Sequence, residues 1–255
     1  LLLNSTSARF PDGLANSSGL VGRNLMLHAM AVTQGIFDGP MEGYKGPIGC
    51  SLWSKEFYET DLNRGFARGY TMEILRGNGP VAAAQMGMMM GALPWGEGHH
   101  AAFRQMFDKS AAICAVCEDL PEEHNRVTLD PDMTDSHGIP APKINYVLGE
   151  NSINMLAHAG ERSTEVLRAA GASFVTPTVT SGVASGHVMG TTRMGTDPER
   201  SVVNEWGRSH DVKNLFVADS SMFVTSGGVN PTSTLQALAL YVADNIKQRL
   251  ANLFD

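Results

Sequence analysis

Apolar and polar residues alternate, or apolar residues run together, in several strand-length stretches of the first 150 positions. The clearest alternation is in residues 64–75, where Phe66, Tyr70, Met72 and Ile74 fall on one parity, as a half-buried antiparallel strand requires. Turn-forming Gly, Pro and Asp separate this stretch from the other predicted strands, which are residues 30–37, 48–53, 111–116, 127–129 and 144–148. The pattern therefore predicts a β-rich middle of the chain.

Two stretches have the period of an amphipathic helix. The first, residues 151–170, ends at Gly171, a common C-terminal stop, and its predicted buried stripe is Ile153, Leu156, Ala157, Gly160, Thr164 and Leu167. The second is predicted to begin at Asn230, an N-cap residue followed by Pro231 at the first helical position. Its predicted stripe is Leu235, Leu238, Ala239, Val242 and Ile246.

A short apolar run, residues 214–219, precedes the second helix and ends in Asp219. Continuous apolar runs are typical of buried parallel strands, whereas surface strands alternate. The predicted order is thus a β-rich middle, one long helix and then a strand–loop–helix unit.

Composition and charge narrow the class of protein. The 255 residues include 19 basic and 26 acidic side chains, for a net charge of −7, so we expect no nucleic-acid partner. No apolar run approaches the roughly 18 residues of a membrane-spanning helix. The three cysteines, Cys50, Cys114 and Cys117, are too few for a disulfide scaffold. We expect a soluble protein, cytoplasmic or periplasmic, and the sequence does not choose between these compartments.

The first residues are apolar and do not form a targeting segment. The chain opens with three leucines, without an initiator Met and without the basic stretch of a signal peptide. An apolar triplet of this kind is typical of the inside of a buried element, and we expect that an upstream part is missing.

The densest concentration of candidate chemistry lies in residues 185–195, where glycines flank His187 and allow a planar ligand to approach the backbone. A strand-end carboxylate such as Asp219 suits the binding of sugar-like hydroxyls. A helix beginning at Asn230 would direct its free N–H groups towards an anion. Each element alone is weak, because a His among glycines is more often a plain loop residue.

Together these elements resemble the C-terminal half of the glucose-methanol-choline (GMC) family of FAD-dependent oxidoreductases, with sugar and sugar-acid dehydrogenases most similar. The resemblance rests on residues 187–195, on residues 215–219 and on Asn230, Pro231 and Thr232 at the start of the last helix. Residues 118–130 and 19–28 extend it over the whole chain.

The resemblance implies an α+β fold. It comprises a substrate domain on an antiparallel sheet plus the C-terminal strand and helix of an α/β FAD-binding domain. The implied domains are residues 1–28, a segment of the FAD domain, residues 29–180, the substrate domain, and residues 181–255, the C-terminal part of the FAD domain. The strand–GxGxxG–helix unit that binds ADP in this family does not occur in the sequence. The missing N-terminal FAD-binding half, or another chain, is therefore an expected partner.

The resemblance also assigns roles. It implies that His187 is the base that takes the hydroxyl proton of an alcohol, probably a sugar or polyol, and that the hydride goes to flavin N5. Asn230 would position the substrate oxygen, and the implied FAD-binding residues are Ala218, Asp219, Asn230, Pro231 and Thr232. The electron acceptor (oxygen, quinone or cytochrome) is not specified.

Two alternatives remain open at this point: a truncated fragment that does no chemistry, and a carbohydrate-binding module. We expect no metal site, because Cys114 and Cys117 would face opposite sides of a strand despite their CxxC spacing. His28, after a family-like turn, and His158, in the middle of a predicted helix, are interpreted as structural residues.

Overall fold

The computed structural model describes residues 1–46, 50–77, 79–89, 91–181 and 186–249. The chain forms two compact units, each assembled from separate stretches of sequence. The sheet unit contains residues 29–117 and 150–181, and the three-segment unit contains residues 1–28, 118–149 and the described part of 182–255. Residues 118–149, which the sequence places in the substrate domain, thus pack with the three-segment unit. The functional names of the domains stay predictions.

In chain order, the described strands and α-helices are β1 (Ala29–Ile36), β2 (Cys50–Ser54), β3 (Tyr70–Leu75), α1 (Pro80–Met89), α2 (His99–Met106), β4 (Ser110–Cys117), β5 (Arg126–Thr134), β6 (Pro140–Asn145), α3 (Glu150–Ala169), β7 (Phe174–Val175), β8 (Val179–Ser181) and α4 (Thr232–Gln248). The sheet unit contains one antiparallel sheet in the order β2-β3-β4-β1-β7, and β8 also pairs with β1.

Strand β1 forms the centre of this sheet. Every second residue of β1 is buried, and helix α3 packs against β1 and β4. The predicted strand at residues 64–75 is wrong in its first half, because Leu62–Arg64 is a 3-10 helix and Gly65 and Arg68 have φ values of 83° and 69°. These left-handed conformations cannot continue an extended strand. Residues 48–49, at the start of another predicted strand, lie outside the described residues.

Helix α3 is confirmed, but its buried stripe is rotated from the predicted one. Ile153 is 52% exposed, and the buried residues are Ser152, Met155, Leu156, Ala159, Gly160, Ser163 and Leu167. The buried face is rich in small residues because α3 lies close to the sheet: a Cβ on Gly35 of β1 would be 3.0 Å from the Leu167 side chain. Gly171, with φ of 94°, ends the helix as expected.

The three-segment unit contains the β5–β6 hairpin, helix α4 and long irregular segments. The predicted stripe of α4 is confirmed in part: Val242 is buried, and the other four members are half-buried. Residues 214–219 do not form a buried parallel strand, because their ladder is limited to one antiparallel bridge between Phe216 and Arg208. The α+β class with antiparallel sheets is confirmed. Within the described ranges, the helices are too short or too polar for a membrane crossing.

Candidate active site around a pair of histidines

An antiparallel backbone bridge brings two distant parts of the three-segment unit together. Met26 and Met189 exchange both N–H···O bonds, each with an N···O distance of 3.0 Å. Residues two positions further along the two segments face each other in this register, and they are His28 and His187. Met26, Met189 and the buried ring of Phe223 form an apolar cluster that supports the bridge.

His28 and His187 form the histidine pair. Their Nδ1 atoms are 2.7 Å apart, and the rings are perpendicular with centroids 4.9 Å apart. His28 is fully buried, and its Nε2 lies 2.8 Å from the Gly227 carbonyl oxygen and 3.3 Å from that of Ser226. His187 is half-buried, so it is the member of the pair that a small ligand can reach.

Burial keeps both imidazoles neutral near pH 7. Loss of water contact lowers the pKa of His28 from 6.5 to about 4, and the neighbouring His187 lowers it further, although the carbonyls of Gly227 and Ser226 act in the opposite direction. Burial also lowers the pKa of His187. A neutral imidazole has one nitrogen with a lone pair, so the site contains a proton acceptor at neutral pH.

Residue 119 fixes the backbone on both sides of His28. The Asp119 carboxylate accepts hydrogen bonds from the Leu27 N–H at 3.1 Å and from the Tyr146 hydroxyl at 2.7 Å. The Asp119 N–H donates to the Ser226 hydroxyl at 2.8 Å, and that hydroxyl donates back to the Asp119 carbonyl oxygen at 3.1 Å. Both the segment before His28 and the segment that accepts from His28 are therefore tied to one buried residue.

Ala218 and Asp219 line a cavity of about 340 Å³ in the same unit. Both are exposed, and the Asp219 carboxylate accepts the Ser221 N–H at 2.8 Å, which caps the 3-10 helix Ser220–Met222. The other residues that line the cavity include the hydroxyl-bearing Thr191, Thr192 and Ser221. The cavity thus presents a carboxylate and several hydroxyl groups to a ligand.

Asn230 and Thr232 are exposed at the start of α4, and Pro231 between them is buried. The helix begins at Thr232 with Pro231 at the N-cap, and no side chain caps it. The prediction that Asn230 is the N-cap is therefore wrong by one residue. Asn230 follows the Ser226–Gly227 carbonyls by only three residues, whereas the hydrogen bond described for His187 is to His28.

Sequence reasoning treated His28 as a structural residue and missed its partner. The partners are 159 positions apart, and the bridge that aligns them consists of two ordinary methionines. Of residues 185–195, the first lies outside the described residues. The part from Gly186 to Gly195 contains His187 and the bridge to Met26, so the densest predicted region does contain the functional geometry.

Comparison with known proteins identifies the family. Residues 121–239 match the C-terminal family model described as GMC oxidoreductase. Over the whole chain, the sequence is 45% identical to 2-methyl-1,2-propanediol dehydrogenase of Mycolicibacterium austroafricanum, covering 47% of that enzyme. The chain belongs to the GMC oxidoreductase family. The family predicted from the sequence is thereby confirmed.

Two further GMC relatives agree with this assignment. The chain is 34% identical over 96% of its length to the fructose dehydrogenase large subunit of Gluconobacter japonicus, covering 44% of that subunit. A crystal structure of formate oxidase superimposes with a TM-score of 0.58 at 17% identity, covering 92% of this chain and 48% of that one. This likeness concerns the fold alone. The chain spans about half the length of the curated relatives it matches, and these relatives do not favour a non-catalytic fragment or a carbohydrate-binding module.

Proposed function

We propose that the protein containing this chain oxidises an alcohol with FAD, and that His187 is the base that removes the hydroxyl proton. The observation that carries the proposal is the state of this imidazole. It is half-buried, its pKa is held below 6.5 by burial, and one of its ring nitrogens is bound by His28. A neutral, oriented imidazole suits proton abstraction near pH 7, because its basicity matches the operating pH.

The residues present fit the flavin end of FAD. The exposed Asp219 carboxylate can accept hydrogen bonds from ribityl hydroxyls, and the start of α4, which no side chain caps, favours negative charge near its N–H groups. Ala218, Asp219, Asn230, Pro231 and Thr232 would hold this end of the cofactor. FAD, when bound, supplies the hydride acceptor at flavin N5. The ADP end would be held by the remainder of the protein or by another chain, since this sequence contains no strand–GxGxxG–helix unit.

A diol, polyol or sugar is the proposed substrate. The names of the two relatives with the highest identities given above specify a 1,2-diol and a ketohexose, and both molecules carry hydroxyl groups on neighbouring carbons. The exposed amide of Asn230 can donate to, and accept from, a substrate hydroxyl. We assign Asn230 to holding the substrate oxygen while His187 takes the proton.

The test is flavin reduction by the His187→Ala variant in anaerobic stopped flow, which requires no knowledge of the electron acceptor. We expect the rate to fall roughly 10²–10⁴-fold, the range for loss of a general base, with flavin content unchanged. His210→Ala is the matched control, because His210 is also half-buried in the same unit but bonds to the Ser201 hydroxyl. It should keep the normal rate.

The substrate part of the proposal is tested with three alcohols. 2-Methyl-1,2-propanediol and fructose should reduce the flavin, whereas 2-methyl-2-propanol should not, because its carbinol carbon has no hydrogen to transfer. Normal reduction by His187→Ala would contradict the base assignment. Failure of every diol and sugar, with rapid reduction by a simple monoalcohol, would contradict the substrate class.

A further inference from the structure

His28 is a buried, titratable side chain for which the reaction described above has no direct use. It is fully buried and does not need to touch the substrate, yet both of its ring nitrogens are bound. A merely space-filling residue at this position would not require two polar atoms. The partners of those two nitrogens determine which protons the pair carries.

The hydrogen bonds at Nε2 of His28 have one possible polarity. Carbonyl oxygens only accept, so Nε2 of His28 carries the proton and donates it to Gly227, with Ser226 as the second acceptor. A neutral imidazole has one N–H, so Nδ1 of His28 then holds a lone pair. The lone pair faces Nδ1 of His187 across 2.7 Å, a normal to short hydrogen-bond distance.

The polarity of the first bond fixes that of the second. Nδ1 of His187 must be the N–H that donates to His28, because two lone pairs at 2.7 Å would repel each other. The neutral His187 ring then carries its own lone pair on Nε2. The alternative, a cationic His28 with both nitrogens protonated, is disfavoured because burial holds the pKa of His28 at about 4.

We propose that His28 is a positioning residue that holds His187 in the Nδ1–H tautomer and thereby makes Nε2 the atom that accepts the proton of the substrate. This role rests on the proposed function, in which His187 is the base. When Nε2 takes the hydroxyl proton, the O–H bond breaks, an N–H bond forms, and His187 becomes an imidazolium that still donates from Nδ1. The proton stays on His187, since the buried His28 does not readily accept a second one.

The surroundings keep His28 from rotating. The Leu27 N–H and the Ser226 hydroxyl are both bound to Asp119, and the Met26–Met189 bridge sets the facing register of the two imidazoles. Holding a functional histidine in one tautomer through its second nitrogen is a general device in enzymes. Here a second imidazole takes the position that a carboxylate has in many other sites.

The direct test is ¹⁵N NMR of the flavin-loaded protein labelled at histidine, with the two rings assigned from spectra of the His28→Asn and His187→Ala variants. Two-bond nitrogen–proton correlations distinguish the tautomers of a neutral imidazole. At pH 7.5, we expect His187 protonated at Nδ1 and His28 protonated at Nε2. Protonation of His187 at Nε2, or a cationic His28, would overturn the proposal. The wild-type spectrum decides this point even if a variant fails to fold.

A pair of variants adds a functional readout. Asn and Leu have similar shapes, but only Asn has a side-chain oxygen near the position of Nδ1 that can accept from His187. We expect His28→Leu to slow flavin reduction at saturating substrate roughly 10–100-fold with little change in substrate Kd, and His28→Asn to recover most of that rate. Equal rates in the two variants would overturn the role of the acceptor.

The two proposals fail in different ways. Normal flavin reduction by His187→Ala refutes the base assignment of the preceding subsection, whatever the NMR spectra show. A slow His187→Ala variant combined with the Nε2–H tautomer of His187 refutes the role of His28 alone. A slow His187→Ala variant, the Nδ1–H tautomer and rescue by Asn together support both.

Discussion

At the scale of single residues, Gly190 shows how closely two backbone segments approach beside the histidine pair. Its φ is 92°, and a Cβ at this position would lie 2.2 Å from the Asn24 carbonyl oxygen. Both the left-handed conformation and the backbone contact exclude other residues. Gly186, four residues earlier, has no atom within 4 Å of such a Cβ.

We therefore expect Gly190→Ala to reduce the free energy of unfolding by roughly 2–4 kcal/mol, since backbone cannot move as a flexible side chain can. Gly186→Ala should change it by less than about 0.5 kcal/mol. Urea unfolding followed by circular dichroism measures both. Similar losses in the two variants would show that the approach of the two segments does not determine stability.

The sequence identified single residues of the site only where chemistry and local pattern coincide. His187 stands among glycines and is recognisable, whereas His28 lies in an apolar stretch with no local feature that indicates a partner. Its role depends on the Met26–Met189 register and on the carbonyls of Ser226 and Gly227. Such pairings are set by tertiary structure, which local pattern does not encode.

At the scale of elements, the start of α4 separates a capping role from a binding role. Asn230 precedes the N-cap Pro231, and no side chain caps the helix. We expect Asn230→Ala to change the free energy of unfolding by less than about 0.5 kcal/mol, whereas loss of a true N-cap costs about 1 kcal/mol. Flavin reduction by a diol should nevertheless slow, because the substrate contact is lost.

Asp219→Ala provides the matched control for that measurement. The Asp219 side chain does cap a 3-10 helix, at 2.8 Å from the Ser221 N–H, so its loss should cost about 1 kcal/mol. Thermal unfolding of the two variants in parallel gives the comparison. A larger loss in Asn230→Ala than in Asp219→Ala would contradict the assignment.

Element prediction succeeded where one face of an element is buried along its whole length. Strand β1 and helices α3 and α4 have such faces, and the pattern located all three. The prediction was wrong at residues 64–69, where positive φ at Gly65 and Arg68 interrupts the alternation. It was also wrong at residues 214–219, because an apolar run becomes a strand only if neighbouring strands complete its ladder.

At the scale of the whole molecule, the buried His28 makes stability depend on pH. Its pKa is about 4 in the folded protein and 6.5 as a free side chain, so the unfolded chain binds the proton more tightly. Above pH 6.5, His28 is neutral in both states and adds no pH dependence. As the pH falls from 6.5 to 4, this residue removes stability, up to about 3 kcal/mol in total.

We expect the free energy of unfolding of the wild type to fall between pH 7 and pH 5 by about 2 kcal/mol more than that of His28→Asn, which cannot titrate at this position. Urea titrations at the two pH values measure the difference, and changes at other groups common to both proteins cancel. The same pH dependence in wild type and variant would show that His28 is not buried in its neutral form.

The register of β1 has a consequence for how this family can diversify. Ala29 pairs with Cys117 and Met30 pairs with Ser181, so the chain enters the sheet unit once and leaves it twice at the same end of one strand. Insertions whose ends lie side by side are tolerated by the structure that carries them, since the distance to be bridged does not depend on what is inserted. The sheet unit is thus a replaceable module: its strands and loops can be exchanged or enlarged during evolution while the two imidazoles keep their register.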